Sequence, residues 1–351
     1  MDLIKTLFLK ATFNLGIYSI FHYINRHKIT ILYAHSIIDI ERTKSSCWQP
    51  LRTQHNTKEL YFTLKTLSKQ YQFISLTTAI KILKKEIKPI DNALVITLDD
   101  GYLNNIEAAA VIFSRFNIHP TIFVSTDHTE NNVPFWFDRL DYALQQIKEN
   151  IFTTELRQEK FIFDCSSRDS LKKSYALFRN KIKSDFDCDK RMRNYLKQLS
   201  TEIELHTGKA LSQIIEQDNY VKLASWQQLK YAQQQLNFEI GSHTVNHARL
   251  ALVDKKTLDN ELFESKYRIE DKLNVACDTF CYPDNSYKSA TEKLVKEYYQ
   301  CALTTDTQLN KVGSNMMRLK RFNLPTDQNP LKILFKVSAL RQFYKITSGD
   351  D

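Results

Sequence analysis

The run Ala93-Leu94-Val95-Ile96-Thr97-Leu98 is apolar at nearly every position and rich in β-branched residues. It lacks the polar alternation of a half-solvated strand, so it reads as a strand buried on both faces. Such a strand needs a layer on each side. It runs directly into Asp99-Asp100-Gly101-Tyr102. Two carboxylates after a buried strand are costly unless they face a ligand or solvent at its end, and Gly101 lets the chain turn there. Taken alone, the run also fits a solvated Asp-Asp-Gly turn.

Further strand-like runs fall near residues 28–34, 72–76, 119–125, 237–241, 278–282, 300–305 and 318–323. Helix-patterned stretches near 57–70, 77–86, 103–117, 226–236, 255–273 and 287–298 lie between them. Strands alternating with helices imply parallel pairing through right-handed crossovers, an α/β fold. With 351 residues, 42% hydrophobic, and only 6 Gly and 7 Pro, the chain can bury one large core.

A second chemistry-bearing run, His243-Thr244-Val245-Asn246-His247, follows the strand-like Leu236-Asn237-Phe238-Glu239-Ile240-Gly241. Two His four apart share one side of a helical turn, which predicts ring nitrogens able to converge on one ion. Two unrelated surface histidines are the alternative. Taken with the aspartates, the pair fits hydrolytic zinc chemistry: Asp100, His243 and His247 would bind and a fourth position would stay open for water.

In these two runs the chain resembles the polysaccharide deacetylase family, carbohydrate esterase family 4. Thr97-Leu98-Asp99-Asp100-Gly101 matches its Thr-Phe-Asp-Asp-Gly motif, and His243-Thr244-Val245-Asn246-His247 its His-[Ser/Thr]-x-x-His motif. The stretches Ile31 to His35, Pro134 to Leu140, Ser225 to Leu229, Glu261 to Lys266 and Phe280-Cys281-Tyr282-Pro283 resemble the branch acting on bacterial surface-glycan precursors. The likeness spans about residues 28 to 325. It implies a distorted (β/α) barrel with fewer than eight regular strands and a helical insertion. It also implies a metal-dependent N-deacetylase of an acetamido sugar, in a polysaccharide or a lipid-linked precursor.

By this resemblance Asp99 is the catalytic base, Asp100, His243 and His247 are the metal ligands, and the backbone N–H of Asp284 supports the oxyanion. The expected metal is Zn²⁺, with Co²⁺, Ni²⁺ or Fe²⁺ also suited to two imidazoles and a carboxylate. Candidate substrate contacts are His35, Tyr102, Trp136, Tyr282 and Arg318. Trp136 is chosen as a sugar-stacking wall because it opens the insertion. Two positions depart from the family. Cys281 and Asp284 stand where its third motif has Arg and Tyr, and no histidine follows His247 to act as general acid. Asp99 returning its proton, or another group such as His35, would then fill that role. A barrel that keeps the metal and binds glycan without turnover is the alternative function.

Residues 1–27 read as an N-terminal amphipathic helix, 28–325 as the barrel and 326–351 as a C-terminal helix and tail. The stretch 127–222, dense in Lys, Arg and Gln, interrupts the barrel and reads as a specificity lid, with helices at 169–184 and 188–205 and a short β pair. Lys5, Lys10, Asn14 and His22 break the apolar N-terminus, so it predicts no membrane span and no secretory signal. The expected location is cytoplasmic, with a helix that packs on the barrel or lies on the inner membrane. The +9 charge, 49 basic against 40 acidic residues, is spread over helical faces without a nucleic-acid motif, so no nucleic-acid partner is expected. A phosphate-bearing lipid carrier or an anionic membrane is the alternative partner. The six cysteines show no C-x-x-C spacing, and reduced thiols are expected.

Overall fold

The computed structural model describes residues 9–341. Its strands in chain order are β1 (Thr30–Ala34), β2 (Ile37–Ile38), β3 (His55–Asn56), β4 (Gln72–Phe73), β5 (Ala93–Leu98), β6 (Thr121–Val124), β7 (Ile151–Leu156), β8 (Glu159–Asp164), β9 (Glu239–Ser242), β10 (Thr279–Cys281), β11 (Cys301–Leu303) and β12 (Phe322–Asn323). Eight of them form one parallel sheet in the order β11-β10-β9-β6-β5-β1-β12, with β4 paired to the start of β5. Leu319, just before β12, bridges to Leu303 of β11, and its N–H donates to Ala302 O. The two sheet edges are thereby joined and the distorted (β/α) barrel closes. Every strand run expected from the sequence is present, though β4 and β12 are two residues each.

Side chains alternate across each strand, and the alternation sorts the core into an inside and an outside. Ile29, Ile31, Val95, Phe123, Cys281, Cys301, Leu303 and Leu319 share the cluster inside the barrel. Their strand neighbours Leu32, Leu94, Ile96, Leu98, Ile122, Phe280, Ala302 and Phe322 pack outward against the helices. A barrel filled this way is a plugged core whose chemistry can sit only at the strand ends.

The helices begin where side chains satisfy their first N–H groups. Asn56 with Glu59 caps helix Thr57–Leu67, and Ser225 with Gln228 caps helix Trp226–Leu236. Asp254 accepts from Thr257 N–H to start helix Lys255–Leu273. The expected helix over 103–117 is instead two pieces, Asn104–Glu107 and Ala110–Arg115. Its first turn is tied to the end of β1: Asn105 Nδ2 donates to His35 O (2.7 Å) and Asn104 Nδ2 to Ser36 Oγ (2.7 Å).

The insertion between β6 and β9 carries its own apolar core. Leu140, Leu156, Phe163, Phe178, Leu196 and Ile203 join the antiparallel hairpin β7-β8 to helices Trp136–Gln145, Arg168–Asp185 and Asp189–Thr207. Polar contacts fasten it over the strand ends: Arg249 NH1 donates to Lys183 O (2.9 Å) and Arg193 NH1 to Asn246 O (2.9 Å). At the N-terminus residues 9–14 and Ile17–Ile24 are helical, and buried Tyr18 packs into the outer core. Residues 1–8 of the expected N-terminal helix and 342–351 of the expected tail lie outside the described residues. Helix Pro330–Lys336 lies against helix Thr57–Leu67.

Gly241 marks the tightest point of the sheet, because a Cβ there would stand 2.5 Å from both Phe123 Cε1 and Thr279 Oγ1. Gly241→Ala is therefore expected to lose about 1–3 kcal/mol of stability by overpacking. A urea midpoint equal to wild type would overturn that reading of the β6-β9-β10 contact.

Candidate active site

The C-terminal ends of β1, β5, β9 and β10 bring His35, Asp99, Asp100, His243 and Cys281 to one end of the barrel. Asp99 N–H donates to Ala34 O (2.9 Å), which continues the ladder one step past β5. Asp100 then takes φ 74° and Gly101 φ 77°, a left-handed pair that swings the Asp100 carboxylate back over the strand end. Gly101 is also close-packed, since a Cβ would meet Val124 Cγ1 at 3.1 Å.

Asp100 Oδ1 lies 3.5 Å from His247 Nε2 and 3.6 Å from His243 Nε2. Ligands about 2.0–2.1 Å from a tetrahedral metal sit roughly 3.4 Å apart, so this spacing suits a shared ion. The hydrogen-bonding pattern agrees. His243 Nδ1 donates to Cys281 O (2.7 Å), which fixes its proton on that nitrogen and leaves Nε2 with a lone pair. Both Asp100 oxygens are buried without a hydrogen-bond partner. Burial pushes the Asp100 carboxyl well above its ordinary range, despite the opposing pull of Arg52. Burial also pushes His243 down and His247 well down, which keeps both imidazoles neutral. An ionised carboxylate buried without a partner between two neutral imidazoles is costly, and a shared cation relieves that cost, so the residues present fit one.

The geometry that aims the two histidines differs from the helical turn expected. Residues 243–249 form a turn outside any helix, with Thr244 at φ 68° and His247 at φ 53°. Those left-handed residues fold the loop until the two rings lie 4.9 Å apart. Glu261, buried on helix Lys255–Leu273, holds it there by accepting from Val245 N–H (2.8 Å), Asn246 N–H (2.9 Å) and Asn246 Nδ2 (2.8 Å). The end of β6 holds the other side, with Ser125 Oγ donating to His243 O (2.9 Å).

Asp99 stands beside this trio with different partners. Arg321, fully buried one residue before β12, donates from NH1 to Asp99 Oδ1 and from NH2 to Oδ2, both at 2.8 Å. Burial alone would raise the Asp99 carboxyl, but the guanidinium outweighs it and holds the group well below the usual carboxylate range. Arg321 also donates to Thr97 Oγ1, Thr304 O and Cys281 Sγ (2.9 Å). Asp99, His243 and Cys281 also cluster closely enough to hold a metal. A guanidinium already bonded to two of the three makes that position hostile to a cation. A guanidinium thus reaches Asp99 from the residue before β12, and the small Cys281 leaves room for it.

The candidate substrate contacts fare unevenly. His35 is half-buried and lines a cavity beside the site. Tyr102 is fully buried, and its hydroxyl donates to Asp138 Oδ2 (2.7 Å) while accepting from Arg52, so it braces the site from below. Tyr282 follows Cys281 and so points outward, packing on Phe280 and Tyr287. Arg318 lies on a 3₁₀ turn outside the barrel, pairs with Glu292 and covers Tyr287. Trp136 is wedged between two apolar clusters of the cap. The rings that stand against His247 are its neighbours Phe135 and Phe137, at 5.2 and 5.8 Å. Asp284 takes φ 52° in the turn after β10, and its carboxylate accepts from Lys183 of the cap.

Residues 184–300 match the family model described as polysaccharide deacetylase. No curated protein matches the sequence. Among solved structures the chain is similar to the Streptococcus pyogenes deacetylase PplD in complex with acetate, with 16% identity and a TM-score of 0.56 over 89% of this chain and 99% of that one. It is also similar to a de-N-acetylase from Aggregatibacter actinomycetemcomitans (13% identity, TM-score 0.53, 88% and 99% covered). IcaB from Ammonifex degensii is comparable (13% identity, TM-score 0.52, 89% and 97% covered). At these identities the likeness is one of fold.

Arg321→Met would strand a buried carboxylate, and the expected loss is about 3–5 kcal/mol at neutral pH. The folded-state pKa of Asp99 is depressed, so the pair's contribution is present above the unfolded value of 3.8 and is lost as pH falls below it. In the variant the unpaired Asp99 can instead take up a proton. The urea stability gap between variant and wild type should therefore narrow from pH 7 toward pH 4. A gap constant across that range would refute the assignment.

Proposed function

We propose that this chain, which matches the polysaccharide deacetylase family model over residues 184–300 and shares the fold of such a deacetylase over 89% of its length, is a metal-dependent N-deacetylase. Its substrate is an acetamido sugar of a bacterial surface polysaccharide or of the lipid-linked precursor. One observation carries this reading: a buried, unpartnered Asp100 carboxylate faces two neutral imidazoles, while Asp99 lies alongside with its own partner.

Asp100, His243 and His247 would hold the divalent metal, Zn²⁺ first and Co²⁺, Ni²⁺ or Fe²⁺ next. Such an ion lowers the pKa of water toward about 7 and polarises a carbonyl. Asp99, outside that ligand set and kept ionised by Arg321, accepts the proton of the attacking water. The Asp284 N–H, on the turn that follows β10, donates to the developing oxyanion. Asp99 keeps that proton poorly, because both of its oxygens are already bonded to a guanidinium. His35 is the better carrier to the leaving amine. Its ring interacts electrostatically with both Asp99 and His243, and burial lowers its pKa to about 3, so it rests neutral and, once protonated, gives the proton up readily.

A peripheral membrane contact belongs to the same reading. Leu15, Ile20, Tyr23 and Ile24 are more than half exposed around helix Ile17–Ile24. Among the described residues no helix is long and apolar enough to cross a membrane. A helix of this kind can lie in the interface with its apolar side in the acyl boundary.

Asp99→Asn is expected to keep one metal per chain and lose acetate release, whereas His243→Ala should lose both, read by metal analysis and an acetate assay on N-acetyl sugars. Equal acetate release from wild type and Asp99→Asn would sink the base assignment. Stoichiometric zinc without acetate from any acetamido sugar would favour a glycan-binding barrel. His35→Asn should cost about 10²–10⁴ in kcat with metal content intact. Vesicles containing anionic phospholipid should co-sediment the wild type and release a triple Leu15→Ser, Ile20→Ser, Ile24→Ser variant; equal sedimentation of the two would remove the membrane contact.

A further inference from the structure

A cavity of about 410 Å³ opens next to His35, between the ends of β1 and β12, residues 52–55, cap helix Arg168–Asp185 and the C-terminal segment. Its lining includes Arg52, Gln54, Arg179, Lys336 and Arg341, and no acidic residue. Three N–H donors of that lining, Arg52 Nε, Gln54 Nε2 and Arg179 Nε, are buried without a hydrogen-bond partner. Burying donors unpaired is costly, so several orphans around one space indicate an acceptor that occupies it.

The charges point the same way. Asp138 pairs with Arg52 at 2.8 Å and Asp327 with Lys336 at 2.6 Å, from outside the lining. Among the described residues no carboxylate pairs with Arg179 or Arg341, so two of the four cations are unmatched. A solvated pocket would hold such cations in water. It would not leave guanidinium and amide N–H groups dry.

Resting on the N-deacetylase reading above, we propose that this cavity binds the diphosphate of a glycosyl diphosphate whose acetamido group is the one hydrolysed. A diphosphate diester carries two negative charges, which equals the unmatched pair, and its oxygens suit the forked donors of two guanidiniums. In a 2-acetamido sugar the amide-bearing carbon adjoins the anomeric carbon. The anion and the scissile amide must therefore be bound side by side. His35 provides that adjacency, because it lines the cavity and also interacts with Asp99 and His243. The diphosphate can come from a nucleoside or from a lipid carrier.

The test compares kcat/KM of the metal-loaded full chain on three substrates. These are a neutral N-acetylated oligosaccharide, a nucleoside-diphosphate acetamido sugar and a polyprenyl-diphosphate acetamido sugar. At least a tenfold preference for one or both diphosphates is expected, and the preferred arm names the source. In Arg179→Gln/Arg341→Gln that preference should fall at least tenfold, mainly through KM. Calorimetric affinity for inorganic pyrophosphate should fall tenfold with it. No preference in wild type overturns the proposal, and that comparison needs no variant to fold. Pyrophosphate affinity equal in variant and wild type also overturns it, since the anion would then sit on the metal. Pyrophosphate binding that depends on Arg179 and Arg341, without acetate from any substrate, would keep the anion site and remove the deacetylase reading instead.

Discussion

The pairing of Arg321 with Asp99 is the contact around which the catalytic end of the barrel is arranged. A guanidinium has five N–H donors, and here all five are used: two on Asp99, one each on Thr97 Oγ1, Thr304 O and Cys281 Sγ. Because the charge is fully buried, its desolvation is offset only if every one of those bonds is made. The partners come from β5, β10 and the end of β11, so the bonds also set how the strands meet. The Arg321 guanidinium covers the Tyr33 ring of β1 as well, at 4.7 Å. Below this layer the barrel interior is mainly apolar, with Thr121 and Thr279 among the few polar side chains, and above it lie the candidate site residues.

That layering explains which parts of the site a reader of the sequence can find. Asp99, Asp100, His243 and His247 announce themselves because each pair is local: a strand end with two carboxylates, and two imidazoles at a fixed spacing. The spacing predicts convergence correctly but for a different geometric reason, since left-handed backbone at Thr244 and His247 does what a helical turn was expected to do. Arg321 carries no such local mark. It meets Asp99 only after β1, β5, β11 and β12 have closed, a partnership 222 residues apart in sequence. Arg318 looks equivalent in the linear chain. Period-two alternation sends Leu319 and Arg321 inward, and Arg318 precedes the strand on an outward turn.

The same parity decides where the other candidate contacts point. Cys281 faces the barrel interior, so Tyr282 must face the helices, whatever its place in a motif. Around Trp136 the relevant geometry is that of a helix start. Phe135 precedes helix Trp136–Gln145, and the turn places Phe135 and Phe137 rather than Trp136 against His247. The fold itself was far more legible, because alternation of strand and helix is written in hydrophobic pattern over many residues, whereas orientation within a strand depends on a register one residue wide.

The insertion has a core of its own and is tied to the candidate site as well. Its main apolar cluster is built from its own residues, with Leu51 the one contributor from outside among the described residues. It also shares an apolar seam with the barrel, where Phe135, Phe137 and Tyr142 pack with Ile38, Trp48 and Tyr102, and its polar contacts are concentrated at the site: Lys183 reaches Asp284, Arg193 reaches Asn246 O, and buried Asp189 accepts from Arg249 N–H (3.2 Å). Each of those partners lies within two residues of a proposed ligand or sits on the proposed oxyanion turn. Polar contacts of this kind are direction-dependent and can be exchanged for water, whereas the aromatic seam beside them cannot. The insertion is therefore anchored to the loop that carries His243 and His247 and to the turn after β10 by polar bonds, and to the end of β5 by aromatic packing of Phe135 on Tyr102.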